Sequence, residues 1–123
     1  MNRKAIGDSA EQLACRYLQT QGLKLLQRNF YCRGGEIDLV MQHGDSLVFV
    51  EVRYRQHTTY GRAAETISRR KQSRVIRCAQ YYINLHQRWN TATRFDVVSI
   101  EGEPGQLQLE WICDAFRADA RCT

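Results

Sequence analysis

Gly35-Glu36-Ile37-Asp38-Leu39-Val40 and Phe49-Val50-Glu51-Val52-Arg53 read as two β-strands, yet each carries carboxylates among its apolar residues. Apolar, largely β-branched or aromatic residues dominate both segments, as in strands with at least one buried face. Between them lies His43-Gly44-Asp45-Ser46. Gly-Asp is a two-residue hairpin loop, with glycine at the first central position of a type II′ turn. With Gly44 and Asp45 as the loop, His43 pairs with Ser46. Counting back along both strands then sets Asp38 opposite Glu51, and Glu36 opposite Arg53. Directly opposed residues share one face of the sheet, with Cβ atoms about 4.5–5.5 Å apart. Two carboxylates so placed repel, unless a cation lies between them or one stays protonated. A loop one residue longer or shorter would abolish the pairing.

A hard divalent cation resolves that repulsion. Mg²⁺ takes oxygen ligands, usually one or two protein carboxylates completed by water and substrate phosphate. The ordinary alternative is an ion pair from Asp38 or Glu51 to Arg53 or Arg55. Glu36 already offers Arg53 a partner, which tilts the reading toward metal.

Outward from the hairpin, Ile6, Ala10, Leu13, Ala14, Tyr17 and Leu18 recur at helical spacing, and Gly22 marks a stop. Residues 23–32 read as a strand closed by Arg33-Gly34-Gly35. A second helix is expected from about Ala64 to His86, with Val75, Ala79, Tyr82, Ile83 and His86 on one face. RFDVVSI and LQLEWI supply two more strands around Gly102-Glu103-Pro104-Gly105. The order α-β-β-β-α-β-β predicts an α/β or α+β sandwich, in one domain over residues 1–123 whose polar tail from about residue 117 frays.

No apolar run approaches the roughly 20 residues of a membrane span. The basic start lacks the apolar segment of a secretory signal, so a cytoplasmic protein with no membrane partner is expected. Cys15, Cys32, Cys78, Cys113 and Cys122 are scattered, without C-x-x-C or zinc spacing, and read mostly as core thiols.

The net charge of +5 is uneven. Between Arg53 and Arg77 lie eight basic residues (Arg53, Arg55, Arg62, Arg69, Arg70, Lys71, Arg74, Arg77) and one acid, Glu65, so the rest of the chain is net negative. Such a run is either a solvated helix face or the electrostatic footprint of a polyanion. Glu11 lies at the edge of the first helix's apolar stripe, beside Gly7 and Ala14, whose small side chains would let another element approach closely; it either extends the acidic cluster or sits in water. Lys71, four residues before Val75, projects along the inward face of the second helix, toward the acids or a phosphate, or snorkels at the surface.

An Asp, a hairpin turn and a Glu-x-Lys-like strand resemble the PD-(D/E)xK nuclease superfamily. More specifically, Gly7-x-x-x-Glu11, Arg28-Asn29, GEIDLV, FVEVR, Lys71 and RFDVV at Arg94–Val98 resemble the YraN-type family of uncharacterised bacterial proteins, which is similar to archaeal Holliday-junction resolvases. The resemblance covers nearly the whole chain. It implies a restriction-endonuclease-like core, a central mixed sheet flanked by helices. It also implies Mg²⁺ or Mn²⁺ held by Asp38, Glu51, the Val52 backbone carbonyl and Glu11. Arg53 stands where the superfamily usually has lysine. Arginine can bind phosphate but is a poor proton acceptor; either metal-bound hydroxide makes a separate base unnecessary or Lys71 takes the role.

Two functions follow. One is a metal-dependent endonuclease acting on nucleic acid, DNA rather than RNA and branched DNA by the resolvase similarity. Glu11, Asp38, Glu51, Arg53 and Lys71 would form its catalytic set. Arg55, Arg62, Arg69, Arg70, Lys71, Arg74 and Arg77 would track the backbone. The other is a binding or adaptor module that keeps the fold without turnover. Junction resolvases act in pairs, so the resemblance also implies a homodimer.

Overall fold

A computed structural model describes residues 3–56, 67–103 and 105–118. Strands β1 (Lys24–Cys32), β2 (Gly35–His43) and β3 (Ser46–Arg55) follow helix α1 (Arg3–Thr20); helix α2 (Arg69–Leu85) precedes β4 (Ala92–Glu101) and β5 (Gln108–Phe116). The β2–β3 hairpin has the register its loop demands: His43 pairs with Ser46 and Leu39 with Val50. Gly44 adopts φ +59°, the left-handed region that glycine enters without a Cβ penalty.

The five strands lie in the order β1-β2-β3-β4-β5. All neighbours are antiparallel except β3 and β4, which run parallel in unbroken register from Ser46–Ala92 to Arg55–Glu101. Parallel neighbours need a long crossover, and α2 lies in that connection. β3 is therefore central, and Leu47–Glu51 is buried throughout, which explains why its sequence does not alternate.

Each helix covers one face. Ala10, Ala14, Cys15 and Leu18 of α1 pack on Leu39, Met41, Val48, Val50, Val98 and Ile100. Val75, Ile76, Cys78, Ala79 and Tyr82 of α2 pack on Ile37, Val40, Leu47, Phe49, Phe95 and Val97. The element order is the α-β-β-β-α-β-β read from the sequence, and the mixed sheet flanked by helices is the architecture that the resemblance implied.

The structure corrects four expectations. Helix α2 begins at Arg69, because extended Ser68 caps it and accepts the Lys71 N–H at 3.1 Å; the expected stretch before Ile67 lies outside the described residues. A Cβ at Gly7 would meet nothing within 4 Å, so no element crowds that position, although Ala14 is fully buried. Of the four described cysteines, only Cys15 and Cys78 are buried; Cys122 lies outside the described residues. Glu36 does not face Arg53: the β2–β3 ladder ends at Leu39–Val50, and Glu36 pairs with Tyr31 of β1. Among the described residues no helix is long and apolar enough to cross a membrane.

Candidate metal and nucleic-acid site

The hairpin ladder ends where the carboxylates begin. One step past Leu39–Val50, side chains replace backbone pairing: the Val52 N–H donates to Asp38 Oδ2 at 2.8 Å, and the Asp38 N–H approaches Glu51 Oε2 at 3.5 Å. The sheet irregularity extends to β1. Arg28 and Phe30 pair with Leu39 and Ile37, but Asn29, at φ +54°, leaves its expected partner Asp38 unpaired. Leu39 packs in the α1-side core and Ile37 in the α2-side core. The alternation of faces therefore breaks at Asp38, whose carboxylate enters the space between β2 and β3.

Both acids are buried, Asp38 to 9% exposure and Glu51 to 2%. Burial pushes Asp38 up to about 7; the Val52 N–H bond opposes this, the Glu11 charge adds to it, and Lys71 again opposes. Burial pushes Glu51 up to about 8, with Asp38's charge adding and Lys71 opposing. Asp38 thus makes Glu51 harder to ionise, as Glu11 does Asp38.

Lys71 Nζ lies 3.5 Å from Glu51 Oε1 while about half of its side chain stays in solvent. It reaches the acids from α2, one of the two positions its sequence placement allowed. Glu11 approaches from α1. Its Oε1 lies 3.5 Å from Arg28 Nη2 but makes no hydrogen bond, leaving a buried acceptor unsatisfied. Burial raises Glu11 and Arg28 opposes that rise. Among the described residues no group of three or more His, Cys, Asp or Glu side chains is arranged to hold a metal ion. The compact acidic pair is Asp38 and Glu51, with Glu11 engaged by Arg28. That pair suits Mg²⁺, which commonly uses one or two protein carboxylates.

Arg53 follows Glu51 by two residues on half-buried β3 and registers with Ser99. Burial lowers its pKa, with Arg55 adding to the effect. Arg55 is half-buried at the strand end. Arg69, Arg70, Arg74 and Arg77 are exposed on α2. The helical pitch of about 3.6 residues sets Arg70, Arg74 and Arg77 along one flank and turns Arg69 roughly 140° from Arg74. Arg62 lies outside the described residues.

Three features escaped reading from the sequence. Arg28 and Asn29 act as a pair, one meeting Glu11 and the other breaking the β1–β2 ladder. Asp96 of the RFDVV stretch is 0% exposed. It accepts from Arg94 Nε at 3.0 Å, Trp111 Nε1 at 2.9 Å and the Asp114 N–H at 2.9 Å, and so ties β4 to β5 across a register shift. Arg94 also reaches His43 Nδ1 at 2.9 Å. This network is structural and lies at the hairpin end of the sheet. The third feature is two exposed tyrosines, Tyr81 on α2 and Tyr31 near the end of β1.

Residues 10–100 match the model of the Uncharacterised protein family UPF0102. The chain belongs to that family. The UPF0102 protein of Nitrosococcus oceani is 50% identical over 115 residues, 93% of each chain. That of Stutzerimonas stutzeri is 52% identical over 114 residues, covering 91% of this chain and 94% of its own. That of Pseudomonas syringae pv. syringae is 47% identical over 116 residues, covering 93% and 94%. The UPF0102 match spans Glu11, both buried acids, Lys71 and the arginine flank, and stops at the end of β4. The family's description names no activity.

Proposed function

We propose that this chain is a divalent-metal-dependent endonuclease that hydrolyses phosphodiester bonds in nucleic acid, DNA rather than RNA. The carrying observation is the buried Asp38–Glu51 pair at the point where the β2–β3 ladder opens, with Lys71 3.5 Å from Glu51. Two adjacent buried carboxylates cost stability unless they stay protonated or a positive charge joins them, and Lys71 meets only Glu51 directly.

Asp38 and Glu51 would hold Mg²⁺ or Mn²⁺. The N–H and C=O of one extended residue point to the same side of its strand. Because the Val52 N–H reaches Asp38, the Val52 carbonyl is directed toward the same opening and can serve as a third ligand. Glu11 would join from α1 through its unsatisfied Oε1. When bound, the cation would lower the pKa of a water and neutralise charge on the phosphate. Lys71 and Arg53 supply positive charge where negative charge builds on phosphorus oxygens. Arg55, Arg62, Arg69, Arg70, Arg74 and Arg77 would hold the phosphate backbone, contributing affinity without sequence reading.

One observation favours a second reading, a nucleic-acid-binding adaptor without turnover: Arg53 stands where the superfamily's lysine would be. A cleavage panel of duplex, single-stranded, flap and four-way-junction DNA in Mg²⁺ and Mn²⁺ separates the two. The enzyme reading expects cutting by wild type that Glu51→Ala abolishes. Binding without cutting in either metal favours the adaptor. Cutting by Glu51→Ala at the wild-type rate defeats the assignment of the site.

A further inference from the structure

Two hollows run side by side along α2. One, of about 320 Å³, is bordered by Tyr31, Glu36, Lys71 and Arg74; the other, of about 560 Å³, by Tyr31, Arg33, Arg77 and Tyr81. Tyr31 belongs to both, so they form one trough between α2 and the β1–β2 turn. The trough opens beside the acids, because Lys71 is also the residue 3.5 Å from Glu51. From Lys71 to Tyr81 the helix rises about 15 Å.

The lining is unusual for a surface of this size. Tyr31 is 68% exposed and Tyr81 52% exposed, although large aromatic rings are normally drawn into the core. The flat Phe49, Phe95 and Phe116 rings are buried and stacked in series, whereas Tyr81 lies outside that stack and meets Phe30 at 5.9 Å. Four cationic side chains, Arg33, Lys71, Arg74 and Arg77, and one carboxylate, Glu36, line the trough together with the two exposed rings. Duplex binding by phosphate contacts alone would need the cations and leave the rings idle. Rings interleaved with cations are what a single strand needs: aromatic faces take unstacked bases while lysine and arginine follow the phosphates.

We propose that this trough binds unpaired nucleotides of a nucleic acid strand, with Tyr31 and Tyr81 as stacking platforms and Lys71, Arg74, Arg77 and Arg33 on the phosphates. The inference rests on the nucleic-acid reading above and adds a preference for single-stranded segments beside the scissile bond. Stacking tolerates any base, so the trough selects strand form and not sequence.

The test measures equilibrium binding of a short oligothymidylate and a blunt duplex of equal charge, in chelator so that cleavage plays no part. Tyr31→Ala and Tyr81→Ala are each expected to weaken the single strand by roughly 5- to 100-fold, and duplex by less than twofold. Tyr31→Phe and Tyr81→Phe should keep wild-type affinity, since the ring and not the hydroxyl does the stacking. An oligonucleotide carrying 2-aminopurine should lose fluorescence on binding wild type and keep it with the alanine variants. Equal weakening of both substrates, or none, overturns the platform while leaving the endonuclease reading intact if metal-dependent cutting persists. Failure of wild type to bind any nucleic acid overturns both.

Discussion

A carboxylate buried where a ladder ends makes the metal-free fold sensitive to pH in a direction opposite to that of a salt-bridged acid. Asp38 and Glu51 ordinarily ionise near 3.8 and 4.5, and burial moves them up to about 7 and about 8. Between those values the native state keeps protons that the unfolded chain has released. Stability is therefore unaffected below the ordinary range and falls as pH rises through the raised one. Each pK unit corresponds to about 1.4 kcal/mol. From about pH 6 to pH 8, wild type in chelator should lose about 2–3 kcal/mol more than Glu51→Gln, which has no charge to bury. Urea denaturation at several pH values reads this directly; parallel curves for the two proteins would mean that the site is solvated. Glu51→Gln should also be the more stable protein at pH 8, the expected pattern where a residue is kept for function at the expense of the fold.

At the scale of elements, the hairpin was legible because one loop and the period of two determine it. Gly44-Asp45 specifies the register, and the register brings Asp38 to Glu51. The same counting failed one step further, at Glu36 and Arg53, since it assumes an unbroken ladder and the buried carboxylates themselves end the ladder. The start of α2 was misread for a related reason. Ala63, Ala64 and Glu65 are good helix formers, and their propensity outweighed the capping signal of a lone serine. Lys71 and Glu11 could be placed on their helix faces from spacing, but their partners could not. The role of Asp96 was invisible, because Trp111 and Asp114 reach it only across the sheet. Ser68 offers a check on the corrected boundary. Ser68→Ala removes the acceptor of the Lys71 N–H and should cost about 1 kcal/mol. By calorimetry that corresponds to a fall of a few degrees in Tm. An unchanged Tm would place the start of the helix elsewhere. Because Lys71 sits in that first turn, the same variant should also weaken the Lys71–Glu51 approach.

For the whole molecule, the two halves of the proposed machinery are physically separable. The acids are buried at the sheet opening, whereas the cations stand exposed along α2, in a chain whose net charge is +5. Cation binding should therefore stabilise the fold without nucleic acid, and nucleic acid should bind without the cation. At a concentration one hundred times its Kd, a cation that binds only the native state adds about 2.7 kcal/mol. Mn²⁺ or Mg²⁺ titrated against wild type should raise Tm, and the rise should vanish in Glu51→Gln and in Asp38→Asn. The doubly substituted Arg74→Gln, Arg77→Gln protein should keep the full metal-dependent rise. Its affinity for DNA should instead fall less steeply with salt, the slope of log K against log salt shrinking by about two as two phosphate contacts are lost. The opposite pattern, a metal response abolished by the arginine changes or a salt slope that follows Glu51, would mean that the two halves are not separable. Lys71, 3.5 Å from Glu51, would then be the charge that compensates the buried acids, and the carboxylates would serve the fold and not a metal.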